Sequence, residues 1–140
     1  MSAGRAKPSG SIIWCLLIPL SIAGCESAGT VNATASAQAI TITTGLAERI
    51  VDPAELVFIY GHERCHQTLG HVQGFHLRRD LRLELAADAC AIRTMDEWGL
   101  DRAAAVRVLA RGIRGRNVKG AAAEIATRAA AIRFLPRRIE

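Results

Sequence analysis

Residues 61–66 read Gly61-His62-Glu63-Arg64-Cys65-His66, and eighteen residues after the second histidine the chain reads Glu84-Leu85-Ala86-Ala87-Asp88. On a helix, side chains four apart stand one turn above each other on the same face. His62 and His66 can therefore offer two imidazole nitrogens to one zinc ion while Glu63 reaches the water beside it. Two histidines fill only half of a zinc coordination shell, and a catalytic site needs a third protein ligand with a fourth position left open. Glu84 is the candidate. Asp88 shares its face and is placed to accept the free ring N–H of a ligand histidine.

Both motifs sit in segments with helix punctuation. Asp52-Pro53-Ala54-Glu55 is a helix start, with Asp as N-cap, Pro at the first position and Glu three residues after the cap. The helix it opens is expected to run to about Gly70, with Leu56, Ile59, Glu63 and His66 on one inward side and Phe58, His62, Cys65 and Leu69 on a neighbouring one. Gly61 costs about 1 kcal/mol of helix propensity relative to Ala, which suggests a close approach by another backbone. A second helix is expected from Asp80 to Gly99 with Leu81, Glu84, Leu85, Asp88, Ile92 and Met95 on one stripe. A third follows Asp101 to about Gly112, and a fourth spans about 121–135 and stops at Pro136. Residues 39–44 alternate like a short half-buried strand, whose partner is expected near 49–51 or in a bound peptide. The fold class is thus mainly α, a small helical domain with one or two short strands in which the HExxH helix packs on the helix carrying Glu84.

HExxH followed by a helix with E-x-x-x-D resembles the gluzincin zinc peptidases. The spelling Glu84-Leu-Ala-Ala-Asp88, with His71 five residues after the second histidine, is similar to the HtpX and CAAX-protease group and to the compact minigluzincins. The resemblance covers about residues 52–98. It implies one zinc ion held by His62, His66 and Glu84, Glu63 as general base, Asp88 as the partner of the ligand histidine His62, and peptide or protein substrates. The chain departs from that pattern in having neither His nor Tyr after Glu84 to steady an oxyanion, which leaves an arginine such as Arg93, or the metal alone. His71 or His76 as third ligand fits the metzincin pattern badly, because Leu69 and Val72 stand where that pattern has Gly and His.

The amino end carries an address. Arg5 and Lys7 precede an uncharged run over 11–24, too short to span a bilayer and ordered like an export signal. Its end, Ile22-Ala23-Gly24-Cys25, resembles a bacterial lipobox, which implies acylation of Cys25 and a membrane anchor facing the periplasm or exterior. A cut at Ala35-Ser36-Ala37 is the alternative. Residues 1–24 are thus expected to be a lipoprotein signal, 25–38 a flexible tether, and 39–140 the domain.

Without the signal the chain keeps 16 basic against 13 acidic side chains, a mild excess scattered over helical faces. With aromatics at 4% and an export signal, nucleic-acid binding is disfavoured. In an oxidising compartment Cys65 and Cys90 are a candidate disulfide between the two motif helices; zinc ligation or nucleophilic roles for either thiol fit less well. A reading from a different class remains beside the peptidase: a non-catalytic zinc-binding or scaffold lipoprotein of the cell envelope.

Overall fold

A computed structural model describes residues 32–72, 80–113 and 120–137. The signal at 1–24, Cys25, His76 and the turn expected at 112–117, apart from its first two residues, lie outside the described residues. The described chain is mainly helical with one antiparallel strand pair: β1 (Ala33–Ala35), β2 (Ile40–Ile42), α1 (Thr44–Ala47), α2 (Pro53–Thr68), α3 (Leu81–Glu97), α4 (Ala103–Ile113) and α5 (Ala121–Phe134). None of the described helices is long and apolar enough to cross a membrane.

The start of α2 follows its sequence, with one difference. Asp52 accepts from the Ala54 N–H at 2.9 Å. Glu55 does not return to the cap residue itself; its Oε2 accepts from the Val51 N–H at 3.1 Å, and its Oε1 faces Arg107 at 3.1 Å and Arg111. Arg107 also reaches Asp52 at 2.6 Å, and Arg111 donates to the Arg49 carbonyl at 2.6 Å. Burial alone would raise the Glu55 pKa, but Arg111, the Val51 amide and Arg107 outweigh it and hold the carboxyl at about 2. A capping residue has become the clamp between the start of α2 and α4.

Along their length α2 and α3 form the principal pairing, and α4 and α5 close the other side. Phe58, Ala87, Ala91, Ile92, Met95 and Ile132 are nearly fully buried between them. Small residues set the approach: a Cβ on Gly61 would lie 3.5 Å from the Ala91 Cβ and 3.7 Å from its Cα, so the two backbones are close there. Four residues on, a disulfide joins Cys65 to Cys90 across the same interface. By the chain-entropy account, closing a loop of this size contributes about 3.5 kcal/mol. The inward face of α2 is narrower than its periodicity suggests, since Leu56 and Leu69 are 43% and 47% exposed. The N-cap of α4 is as expected, with Asp101 accepting from the Ala103 N–H at 2.9 Å. From the start of α4, Arg102 donates to the Ile132 and Leu135 carbonyls, fixing the end of α5.

The strand expected at 39–44 is β2, but its partner is not at 49–51. It is β1, inside the stretch read as tether, in the register Ala33↔Ile42, Thr34↔Thr41, Ala35↔Ile40. Ala-Thr-Ala has too little side chain to announce a strand, and polar bonds hold the pairing instead. The Asn32 N–H donates to Thr43 Oγ1, the Thr43 N–H to the Asn32 carbonyl, and the Ser36 N–H to the Ala39 carbonyl. Gln67 on α2 then donates to the Ser36 and Ala39 carbonyls, at 2.7 and 3.2 Å, so the hairpin turn is fastened to the HExxH helix. After β2, Thr43 caps α1 by accepting from the Leu46 N–H, which turns the backbone helical before 49–51 is reached.

Candidate metal centre

The i, i+4 spacing on α2 places His62 Nε2 and His66 Nε2 3.0 Å apart. From the first turn of α3, Glu84 brings Oε2 to 3.6 Å from His62 Nε2 and Oε1 to 3.7 Å from His66 Nε2. One donor atom from each of the three side chains lies within 4.8 Å of the others, the geometry of residues that could share a metal ion. Cys65 and Cys90 are tied to each other and so are not ligands.

The outer contacts explain how these atoms are aimed. His62 is buried, and its Nδ1 stands 2.9 Å from Asp88 Oδ1. With a proton on Nδ1 facing the carboxylate, Nε2 is left with a lone pair directed at His66 and Glu84. His66 Nδ1 is in turn 3.0 Å from His71 Nδ1. The site thus presents two nitrogen lone pairs and a carboxylate to one small volume, a donor set suited to zinc and one that needs a positive charge.

The titration of the protein alone reflects that need. Burial would lower the His62 pKa, yet Asp88 and Glu84 raise it to about 9, whereas burial and the adjoining His62 push His66 down to about 4. One proton, kept on His62, stands where a cation would do the same electrostatic service. Glu84 is likewise held at about 2: burial opposes its ionisation, but the neighbouring His62 and the charge of Arg128 prevail.

Arg128, on α5, is the residue that the sequence reading missed. It is buried at 9% exposure and grips Asp88 with two nitrogens, Nε to Oδ2 at 2.7 Å and Nη2 to Oδ1 at 2.9 Å, while Nη1 lies 2.6 Å from Glu84 Oε2. One guanidinium therefore braces both carboxylates, occupying Oε2 of Glu84 and leaving Oε1 turned toward His66. Arg93, considered as an oxyanion donor, is instead exposed on α3. A buried arginine in an alanine-rich helix carries little warning in sequence, beyond the fact that burying an arginine requires carboxylate partners.

Glu63 is half-buried beside this cluster. Burial raises its pKa, and the fields of His62, Glu84 and Arg128 all reach it. Its carboxylate also accepts a hydrogen bond from the Ala35 backbone on β1. Asn32 and Ser36 bond toward β2. By the alternation of a strand, Ala33 and Ala35 therefore turn their backbone groups to the outer edge, on the side of Glu63.

Residues 19–78 match the model of peptidase family M48. The match includes His62, Glu63, His66 and His71 and ends before Glu84, so the half of the centre on α3 and α5 rests on geometry. It supports a metallopeptidase and, with that family, dependence on a metal. No curated protein and no solved structure matches the chain.

Proposed function

We propose that the protein is a minimal gluzincin-type metalloendopeptidase that holds one zinc ion on His62, His66 and Glu84 and hydrolyses peptide bonds. The observation that carries the reading is the convergence of three donor atoms from two helices, with the Glu63 carboxylate beside them. Zinc in that position would supply Lewis acidity, which lets water act as a nucleophile near neutral pH. The rest of the chemistry belongs to the chain. Glu63, its pKa raised by burial, takes a proton from the attacking water and delivers it to the leaving amine. Asp88 keeps the His62 proton on Nδ1, and Arg128 keeps Asp88 and Glu84 ionised and in place. The outer edge of β1 suits an extended peptide added as a further strand, running past Glu63.

Metal content tests the ligand set. Purified protein is expected to contain one zinc per chain, to lose it to a chelator together with activity on denatured casein, and to regain both when zinc is restored. Glu84→Ala is expected to retain less than about a tenth of that zinc at equal total metal. Unchanged zinc in Glu84→Ala would remove Glu84 from the centre.

A second reading, a non-catalytic zinc-binding lipoprotein, is favoured by one feature. The site offers no His or Tyr beyond Glu84, and the guanidinium nitrogens of Arg128 are all engaged by carboxylates rather than free to meet an oxyanion. Zinc content without turnover in the wild-type protein would decide for it.

The proposal extends to location: export, followed by acylation at Cys25 and tethering to a bacterial membrane. The Ile22-Ala23-Gly24-Cys25 sequence supports it, as does a disulfide suited to an oxidising compartment. Wild-type protein expressed in a bacterium is expected to take up labelled fatty acid and to fractionate with membranes, and Cys25→Ser is expected to do neither. Equal labelling of the two would exclude Cys25 as the anchor.

A further inference from the structure

His71 lies just past the end of α2, and the way that helix ends carries its side chain back onto His66. Leu69 is the C-cap, and Gly70 follows at φ +73°, in the left-handed region that glycine enters without penalty. The Gly70 N–H donates to the Gln67 carbonyl at 3.1 Å and the His71 N–H to the His66 carbonyl at 2.9 Å. This is the paired 5→2 and 6→1 bonding of a Schellman turn, in which the residue after the glycine is folded back onto the residue three before the C-cap. That position commonly carries an apolar contact. Here both residues are histidines, their rings 5.1 Å apart at 65° and their Nδ1 atoms 3.0 Å apart.

We infer that His71 is the positioning residue of His66, doing for the second histidine what Asp88 does for the first. The inference rests on the zinc reading above. For His66 Nε2 to face the metal with its lone pair, the ring proton must be on Nδ1, and the atom it meets there is His71 Nδ1. His71 therefore accepts, and keeps its own proton on Nε2. The two ligand histidines are held differently: His62 by a carboxylate that is itself clamped by Arg128, His66 by a neutral imidazole fixed through the helix terminus. A neutral acceptor fixes ring orientation and tautomer while adding less negative charge than a carboxylate. His71 is not among the atoms that converge on the metal position, so its effect passes through His66.

The substitutions follow from where an acceptor must stand. Asn places its amide oxygen near the position of Nδ1; Gln carries it one methylene further out, and Ala removes it. Zinc affinity, measured by competition with a chromophoric chelator, is expected to fall about 10–100-fold in His71→Ala and His71→Gln. His71→Asn is expected to remain within about threefold of wild type. The visible spectrum of the cobalt-loaded protein should follow the same division. Unchanged affinity in His71→Ala would overturn the inference. So would an equal loss in His71→Asn and His71→Gln, which would make the imidazole itself a ligand. If His71→Ala does not fold, the Asn and Gln pair decides the matter alone.

A readout without metal separates this inference from the zinc reading. Ring-nitrogen chemical shifts of the zinc-free protein are expected to report His66 with its proton on Nδ1 in wild type and His71→Asn, and a shift toward the Nε2–H form in His71→Ala. Wild-type protein with a bare His66 Nδ1 would refute the pairing. The expected tautomer in a protein that takes up no zinc would refute the zinc centre and leave the pairing standing.

Discussion

Glu63→Gln is expected to bind one zinc ion with an affinity close to wild type, to melt at a similar temperature, and to lose peptidase activity by about 10²–10⁴-fold. Gln has almost the same shape as Glu, so its amide oxygen can still accept from the Ala35 N–H that engages Glu63. What it cannot do is take a proton from water. Glu63 is also absent from the group of atoms that converge on the metal position, which is why zinc should stay. The measurement is kcat/KM on a denatured protein beside zinc content by metal analysis. Activity within a few-fold of wild type would remove Glu63 as the base. Loss of zinc together with activity would mean that Glu63 is a structural part of the centre instead.

Replacing the arginine behind the site should do its damage through the fold. Arg128→Met keeps much of the side-chain volume but removes the cation that pairs with Asp88 and Glu84. Asp88 is 1% exposed, and breaking a buried ion pair from one side typically costs about 3–5 kcal/mol. Against a total stability of about 5–15 kcal/mol for a small domain, that is a large fraction. The zinc-free variant is accordingly expected to unfold at a much lower urea concentration than wild type. Saturating zinc should restore part of the difference, because the ion would give Glu84 a positive partner again; at 100 times Kd, ligand binding contributes about 2.7 kcal/mol. Arg133→Met, on the exposed side of the same helix, should change stability by no more than about 0.5 kcal/mol. A zinc-free Arg128→Met protein as stable as this control would show that the two carboxylates do not need the arginine.

The parts of this protein that its sequence states outright are those governed by local periodicity. Asp52-Pro53 opens α2 and Asp80 and Asp101 open the next two helices, each through a side chain accepting a backbone N–H a few residues on. The four-residue intervals from His62 to His66 and from Glu84 to Asp88 become shared faces by helix geometry alone, and Cys65 and Cys90 fall on those same helices within bonding reach. Such features need only the backbone conformation of one segment, or two segments already known to face each other.

What tertiary structure alone decided lies at longer range or in the direction of a side chain. β1 is a strand because Thr43 and the Ser36–Ala39 turn satisfy its backbone, not because Ala-Thr-Ala prefers to be one. Glu55 reads as a capping residue and proves to be the partner of two arginines more than fifty positions away. Arg128 meets Asp88 across forty residues, and nothing in the spacing of a solvated-looking arginine distinguishes it from its neighbours until α5 is laid against α3. His71 stood out only by its distance from His66, and it is the left-handed turn at Gly70 that brings its ring back over the ligand. Periodicity selects which side chains share a face, but a buried charge is settled only by the partner that packing brings to it, and that partner can come from anywhere in the chain.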